Sequence, residues 1–351
     1  MKKVLALILC AVIALALFGC SKKEEPTTTA APTTTTTTTT KAPEYINPLT
    51  GEKDYNKGAV DVRPVAIVVE NLRPARPQWG IGSSDIIVEG EVEGGISRML
   101  WLYADYTSVP EKIGPIRSAR PSYVRFSEYF DAIYIHWGGS HSRSNYTGGY
   151  ETIKKDNVDD IDGMRGGVLF GRDRTRSVSS EHRGILNGKK LPQVIKDKGF
   201  RTALDKESFS VLNFNESVVD AGNEKAEKIG AKFSSRTDTR RFTYKDGKYH
   251  STDWEKDVAF QNVILLMDET KYITTPYKGS STTYLNYLYK GHDGYYASNG
   301  TQTKIRWEIK DNKLYLTDLS GNPLKINPGK SYIGLCSSNN SGKVTFSNPE
   351  N

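Results

Sequence analysis

Val65-Ala66-Ile67-Val68-Val69 is a continuous apolar run. It is too short for an ordinary helix, and four of its five residues are β-branched. A run of this length without polar alternation reads as a strand covered on both faces. Its surroundings extend the pattern. Asp85 to Glu91 reads as a second strand, and Met99 to Ala104, apolar without a break, as a central one. Pro121 to Phe130 reads as a helix. Pro121 suits its first position, and Tyr123, Phe126 and Phe130 recur at i, i+3 and i+7. Ala132 to Trp137 reads as a strand with Ile133, Ile135 and Trp137 on one face. Leu191 to Lys198 reads as a helix closed by Gly199.

From about Ala226 the texture changes. Short alternating runs are separated by turn pairs such as Asp246-Gly247, Asn299-Gly300 and Asn327-Pro328-Gly329. Arg240 to Tyr244 and Lys248 to His250 flank Asp246-Gly247 as a hairpin. The expected class is therefore α+β. An N-terminal mixed α/β-type sheet domain with helices spans residues 45–222. A C-terminal all-β small barrel or sandwich spans residues 223–351.

The N-terminus sets the location. Lys2 and Lys3 precede an apolar stretch from Val4 to Phe18, about the length of a signal h-region and short for a membrane span. Leu17-Phe18-Gly19-Cys20 resembles the bacterial lipobox, with residues 1–19 as signal peptide and Cys20 as the lipidated residue. Residues 20–44 form a Thr/Pro-rich linker with almost nothing to bury. Fully extended, it reaches about 80 Å. The expected place is the outer face of a bacterial cytoplasmic membrane, with the membrane as partner through Cys20.

Cys10 leaves with the signal, so Cys336 stands alone in an apparent strand and reads as a buried, inert thiol. The formal charge is +7, two of it from Lys2 and Lys3. Outside the membrane, the anions to consider are wall polymers, lipid headgroups and polyprenyl phosphates, and nucleic acid is not an expected partner.

Several segments carry a resemblance. Pro64 to Asn71, Ala75-Arg76-Pro77-Gln78, Asp85 to Glu89 and Glu93 to Arg98 resemble the opening of the YerB-like lipoproteins. Gly114 to Pro121, Asp131 to Ser140, Phe170-Gly171-Arg172-Asp173 and His182 fit the same family. So does the stretch from Ser298 through Trp307 to Lys330. The resemblance implies secretion and a two-domain layout of unknown function. A weaker similarity, an arginine-rich turn followed by a strand leading to Gly-Gly, is to LytR-CpsA-Psr proteins, which handle polyprenyl pyrophosphates.

Chemistry is expected first at Arg117-Ser118-Ala119-Arg120-Pro121. Two guanidiniums and a hydroxyl beside a helix start can hold a phosphate or carboxylate. The alternative pairs these arginines with Asp85, Glu89, Glu91 or Glu93, which share one face if residues 85–93 form one regular strand. His136 is read as a buried, hydrogen-bonded ring, a ligand contact or a metal ligand. No metal-binding spacing is present, and no cofactor is implied. Arg172-Asp173-Arg174, with Arg176, His182 and Arg183, is a solvated loop or an arm over an anionic site. An Asp173–His182 couple is conceivable. The tyrosines from Tyr284 to Tyr296, with Trp307, line either a core or a sugar face.

The leading expectation is a binding or accessory module for anionic wall polymers or lipid-phosphate precursors. Its cleft would be built by Arg98, Arg117, Arg120 and His136, with Ser118, Arg172 and Asp173 beside them. The rivals are an envelope enzyme acting on phosphate- or glycan-linked substrates and a scaffold that binds an envelope protein. A ligand cleft requires arginines that converge unpaired, whereas a scaffold leaves every one of them on a carboxylate.

Overall fold

A computed structural model describes residues 44–277 and 279–348. The signal segment, Cys20 and the linker up to residue 43 lie outside the described residues. The first part of the chain supplies β1 (Val65–Glu70), β2 (Ile86–Glu93), β3 (Ile96–Tyr103), α1 (Pro121–Tyr129), β4 (Ile133–His136), α2 (Gly149–Lys155) and β5 (Asp160–Asp162). It continues with β6 (Phe170–Arg172), β7 (Gly184–Leu186), α3 (Leu191–Asp197) and β8 (Asn213–Phe214). The second part supplies β9 (Glu224–Lys225), β10 (Lys228–Lys232), β11 (Thr239–Lys245), β12 (Lys248–Ser251), β13 (Val258–Phe260), β14 (Asn262–Asp268) and β15 (Thr270–Tyr277). After these come β16 (Ser280–Tyr287), β17 (His292–Ser298), β18 (Thr301–Lys310), β19 (Lys313–Thr317), β20 (Lys325–Ile326), β21 (Ser331–Ser337) and β22 (Lys343–Ser347). The protein is mostly β. The helices are few and short, so the α+β expectation holds only loosely.

One mixed sheet runs through both parts, in the order β19-β18-β17-β14-β21-β2-β3-β1-β4-β5. β21 lies between β14 and β2 and is parallel to both, with Val88 opposite Ile333 and Val263 opposite Tyr332. All seven of its residues are buried. A strand in this position has no solvent face, which explains the unbroken apolar run Tyr332 to Cys336. β18 lies nearer the sheet edge and alternates instead, with Ile305 and Trp307 buried and Arg306 and Glu308 exposed. Burial pushes the Cys336 thiol up to about 12, which keeps it inert.

A second sheet, in the order β13-β12-β11-β10-β22, packs on one face of the first. Phe242 and Phe260 meet Tyr332 with ring centroids 4.8 and 5.6 Å apart, and Trp254 and Trp101 join the same cluster. The opposite face carries a second apolar cluster, in which Tyr123, Val124 and Phe126 of α1 join Leu100, Leu102 and Ile333. The turn Asp246-Gly247 has φ of 50° and 79°, the left-handed pair that a tight hairpin needs.

The two halves of the sequence therefore remain distinct as stretches of chain but not as separate bodies. From Glu44 onward the protein is one compact unit. The expected C-terminal barrel or sandwich is corrected accordingly. One of its layers is a sheet shared with the N-terminal half, because β21 pairs with β2. Separate expression of residues 44–222 should give a product lacking a cooperative thermal transition by circular dichroism, since it leaves the inner edge of β2 unpaired. A sharp transition in that fragment would show that the first half folds without β21.

Candidate functional site

Two of the expected ligand arginines converge, but on a carboxylate of the protein. Arg120 Nε donates to Glu93 Oε2 at 2.8 Å, and its Nη2 donates to Oε1. Arg98 Nη2 reaches the same Oε1 at 3.4 Å, and its Nη1 donates to Ser118 O at 2.9 Å. A β-bulge between Glu91 and Glu93 makes this meeting. The bulge carries Glu93 onto the face of Arg98, whereas Glu89 stays on the other face. The expectation of four carboxylates on one face fails at that residue. Burial alone would raise the Glu93 carboxyl, but Arg98 and Arg120 outweigh it and hold it down to about 2. Burial and neighbouring Arg120 push Arg98 down to about 10, which offsets part of that gain.

The other expected residues divide. Ser118 Oγ donates to Trp137 O at 3.2 Å. His136 is fully buried, with Nδ1 2.7 Å from Gly138 O and Nε2 3.1 Å from Asp160 Oδ2. Both ring nitrogens face acceptors, so this is a structural histidine. Burial works against the Asp160 charge, but His136 and Arg165 hold its carboxyl below the usual range. Arg172 is exposed, lies 4.7 Å over the Trp137 ring and donates to Ser180 O. Asp173 pairs with Lys112, not with His182. His182 belongs instead to Glu70, with Nδ1 3.0 Å from Oε1. Arg117 spans Glu70 and Glu181. The cleft expected from Arg98, Arg117, Arg120 and His136 is therefore closed by the protein's own carboxylates. Tyr284, Tyr287, Tyr296 and Trp307 are buried, as core rather than a sugar face.

An open cleft lies elsewhere, where the second sheet meets the first. It has a volume of about 800 Å³, and its walls include Asn71, Arg73, Arg76, Ser97, Arg240 and Arg241. Its floor is a buried ion pair. Arg240 Nη2 lies 2.7 Å from Glu89 Oε1, and Tyr332, Ser97 and Asn71 donate to the same carboxylate. Burial works against the Arg240 charge, but Glu89 holds the guanidinium protonated well above its ordinary range. Arg240 is thus fully committed.

Three other arginines are not. Arg76 donates to Asp253 O and Asn71 O, both at 2.8 Å, and its Nε is buried without a partner. Burial and Arg240 together lower its affinity for the proton. The Arg241 guanidinium donates to Thr239 O at 3.3 Å, and its backbone N–H donates to Asp253 Oδ2 at 2.7 Å. Arg73 is exposed. Among the described residues, Arg73, Arg76 and Arg241 form no ion pair. Carboxylates of Asp238, Asp253 and Glu255 also line the cleft, so it offers both signs of charge.

The sequence reading passed over these arginines. The repeated Arg-Pro of Arg73-Pro74-Ala75-Arg76-Pro77 was the available signal, with the same spacing of three as Arg117 and Arg120. Arg240 and Arg241 looked like ordinary hairpin residues, and nothing local brings them to residue 76.

Fold and cleft together define a mostly β protein whose two sequence halves share one sheet. The chain belongs to the DUF3048 family: the "Protein of unknown function (DUF3048) N-terminal domain" matches residues 49–201, and the corresponding C-terminal domain matches residues 222–333. The chain is 27% identical over 301 residues to "Putative lipoprotein YerB" of Bacillus subtilis (strain 168), covering 82% of this chain and 85% of that protein. The crystal structure of the Bacillus subtilis YerB protein shares the fold, with a TM-score of 0.69 at 24% identity, over 86% of this chain and 99% of the other.

The Glu93 cluster makes a pH prediction. Its folded value, about 2, lies below the unfolded 4.5. Its contribution is therefore complete above pH 4.5 and lost as the pH falls toward 2. Glu93→Gln should lower stability at neutral pH by on the order of 3 kcal/mol, and should flatten the fall in urea midpoint across that window. A variant that loses stability in parallel with the parent from pH 5 to pH 2 would assign the acid sensitivity elsewhere.

Proposed function

We propose that this protein is a membrane-tethered binding module of the cell envelope that seats an anionic polymer segment in the Arg73–Arg76–Arg241 cleft. The observation that carries the reading is the convergence of three arginines, none of them paired with a carboxylate, on one open polar cavity. Such guanidiniums offer charge-assisted, forked hydrogen bonds to phosphate or carboxylate. The carboxylates of Asp238, Asp253 and Glu255, with nearby threonines, suit hydroxyl or ammonium groups of the same polymer. A repeat that carries an anion flanked by hydroxyls fits this lining better than a bare polyanion. Wall polymers and the headgroups of polyprenyl-phosphate precursors have that chemistry.

The tether is the reading of Cys20, and the lipoprotein name of the Bacillus subtilis relative supports it. Tethering places the cleft within a linker's length of the membrane, where both kinds of ligand occur.

The full chain should bind purified teichoic-type polymer saturably, with affinity that falls as salt is raised. The double variant Arg73→Ala, Arg241→Ala should bind about tenfold more weakly or worse, with an unchanged melting temperature because both side chains are exposed. Equal binding by parent and double variant would rule the cleft out as the polymer site. Vesicles with and without polyprenyl phosphate, tested in parallel, separate the polymer from its precursor.

A further inference from the structure

A second group of cations lies at the C-terminal end of β1 and shares no lining residue with the cleft. His182 sits on a short turn, Ser180–Arg183, between β6 and β7. Glu70, 2% exposed, fixes its ring from behind through Nδ1. That leaves Nε2 on the side of Glu181, 3.8 Å from its Oε1. Arg117 is fixed as firmly by its backbone. Its N–H donates to Val68 O at 3.0 Å, and its carbonyl accepts from Trp137 N at 2.9 Å. The guanidinium has an inner and an outer edge. On the inner edge, Nε lies 3.6 Å from Glu70 Oε1 and has no hydrogen-bond partner, and Glu70 Oε2 has none either.

The outer edge faces Glu181: Nη1 donates to the Glu181 backbone carbonyl at 3.2 Å, and the contacts to its carboxylate are longer. Nη1 and Nη2 each lie 3.4 Å from Glu181 Oε2, and His182 Nε2 lies 3.8 Å from Oε1. The Glu181 side chain is 59% exposed. The Glu93 pair is different: that side chain is 16% exposed and takes a 2.8 Å bond from Arg120. Charge-assisted bonds made without constraint close to about 2.7–2.9 Å. The Glu181 carboxylate therefore sits in front of Arg117 and His182 at the long end of hydrogen-bond range, while its backbone carbonyl takes one Nη1 hydrogen. An exposed pair of this kind contributes little to stability.

We infer that Glu181 is an intramolecular stand-in, and that Arg117 and His182 form a site for the phosphate or carboxylate group of an external ligand, opened when Glu181 swings out. Glu70 organises the site from within by setting the direction of His182 Nε2 and holding Arg117 at its inner edge. A free tetrahedral anion has no side-chain tether. It can bring one oxygen to Nη1, one to Nη2 and one to His182 Nε2 at normal distances. Arg172, which donates to Ser180 O on the same turn, adds positive charge beside it.

The test uses the full chain and inorganic phosphate, with acetate as the carboxylate arm. Binding is read from the His182 imidazole signals by NMR, assigned with a His182→Gln variant. Glu181→Gln should bind phosphate at least about tenfold more tightly than the parent, because the competing carboxylate is gone. Adding Arg117→Lys should abolish that gain: it keeps a cation toward Glu70 and so preserves the fold, but removes the fork. Adding Arg73→Ala and Arg241→Ala instead should leave the gain intact, which separates this site from the polymer cleft. If Glu181→Gln binds neither phosphate nor acetate more tightly than the parent, Glu181 is not a stand-in. If the gain survives Arg117→Lys, the anion lies elsewhere. Either result overturns the inference. A gain for phosphate without one for acetate, or the reverse, assigns the ligand group.

Discussion

The structure depends on the pairing of β21 with β2. Residues near the end of the chain form the strand that joins the edge of the N-terminal sheet to β14, parallel on both sides. Parallel neighbours this far apart in sequence cannot be joined by a turn. The chain between β14 and β21 therefore forms a long crossover connection. Every residue of β21 is buried, because the second sheet covers one face and the α1 side covers the other. The cleft is a by-product of that closure. It opens where β11 and the loop after β1 are brought together over Glu89.

Three carboxylates of β1 and β2, Glu70 and Glu89 buried and Glu93 half-buried, organise the surroundings. Glu89 takes Arg240 from the second sheet, Glu93 takes Arg98 and Arg120 from the α1 side, and Glu70 takes His182 and faces Arg117. Buried charges are costly unless paired and hydrogen-bonded. Each of these acids consequently dictates the position of a segment distant in sequence. The Glu89 site shows it best, with four donors on one carboxylate from β1's loop, β3, β11 and β21. Arg98, Arg120 and Arg240 are thus used in construction. A functional reading has to start from the arginines that remain.

Local structure was legible because it depends on local pattern. The helix from Pro121, the strand at Ile133 and the Asp246-Gly247 hairpin follow from residue spacing alone. The β-bulge near Val92 was not legible, because it is a property of how β2 pairs with β3. The fate of the arginines was hidden for the same reason. Arg120 stands 27 residues from Glu93, and Arg240 stands 151 from Glu89. The sequence supports both a ligand site and a set of ion pairs at Arg117 to Arg120, and only the tertiary pairing separates them.

That separation gives a criterion for judging cationic sites in this fold. Arg98, Arg120 and Arg240 are buried and lie on carboxylates at the centre of packed faces. Each is as constrained as a ligand-binding arginine, yet none has a free donor edge turned to solvent. Arg73, Arg76 and Arg241 are less constrained and carry free donor capacity beside open volume. Arg117 stands between the two groups, its inner edge 3.6 Å from Glu70 without a hydrogen bond and its outer edge covered by Glu181. How far a guanidinium is from being satisfied, rather than how deeply it is buried or how prominent its motif is, decides where an anion can enter.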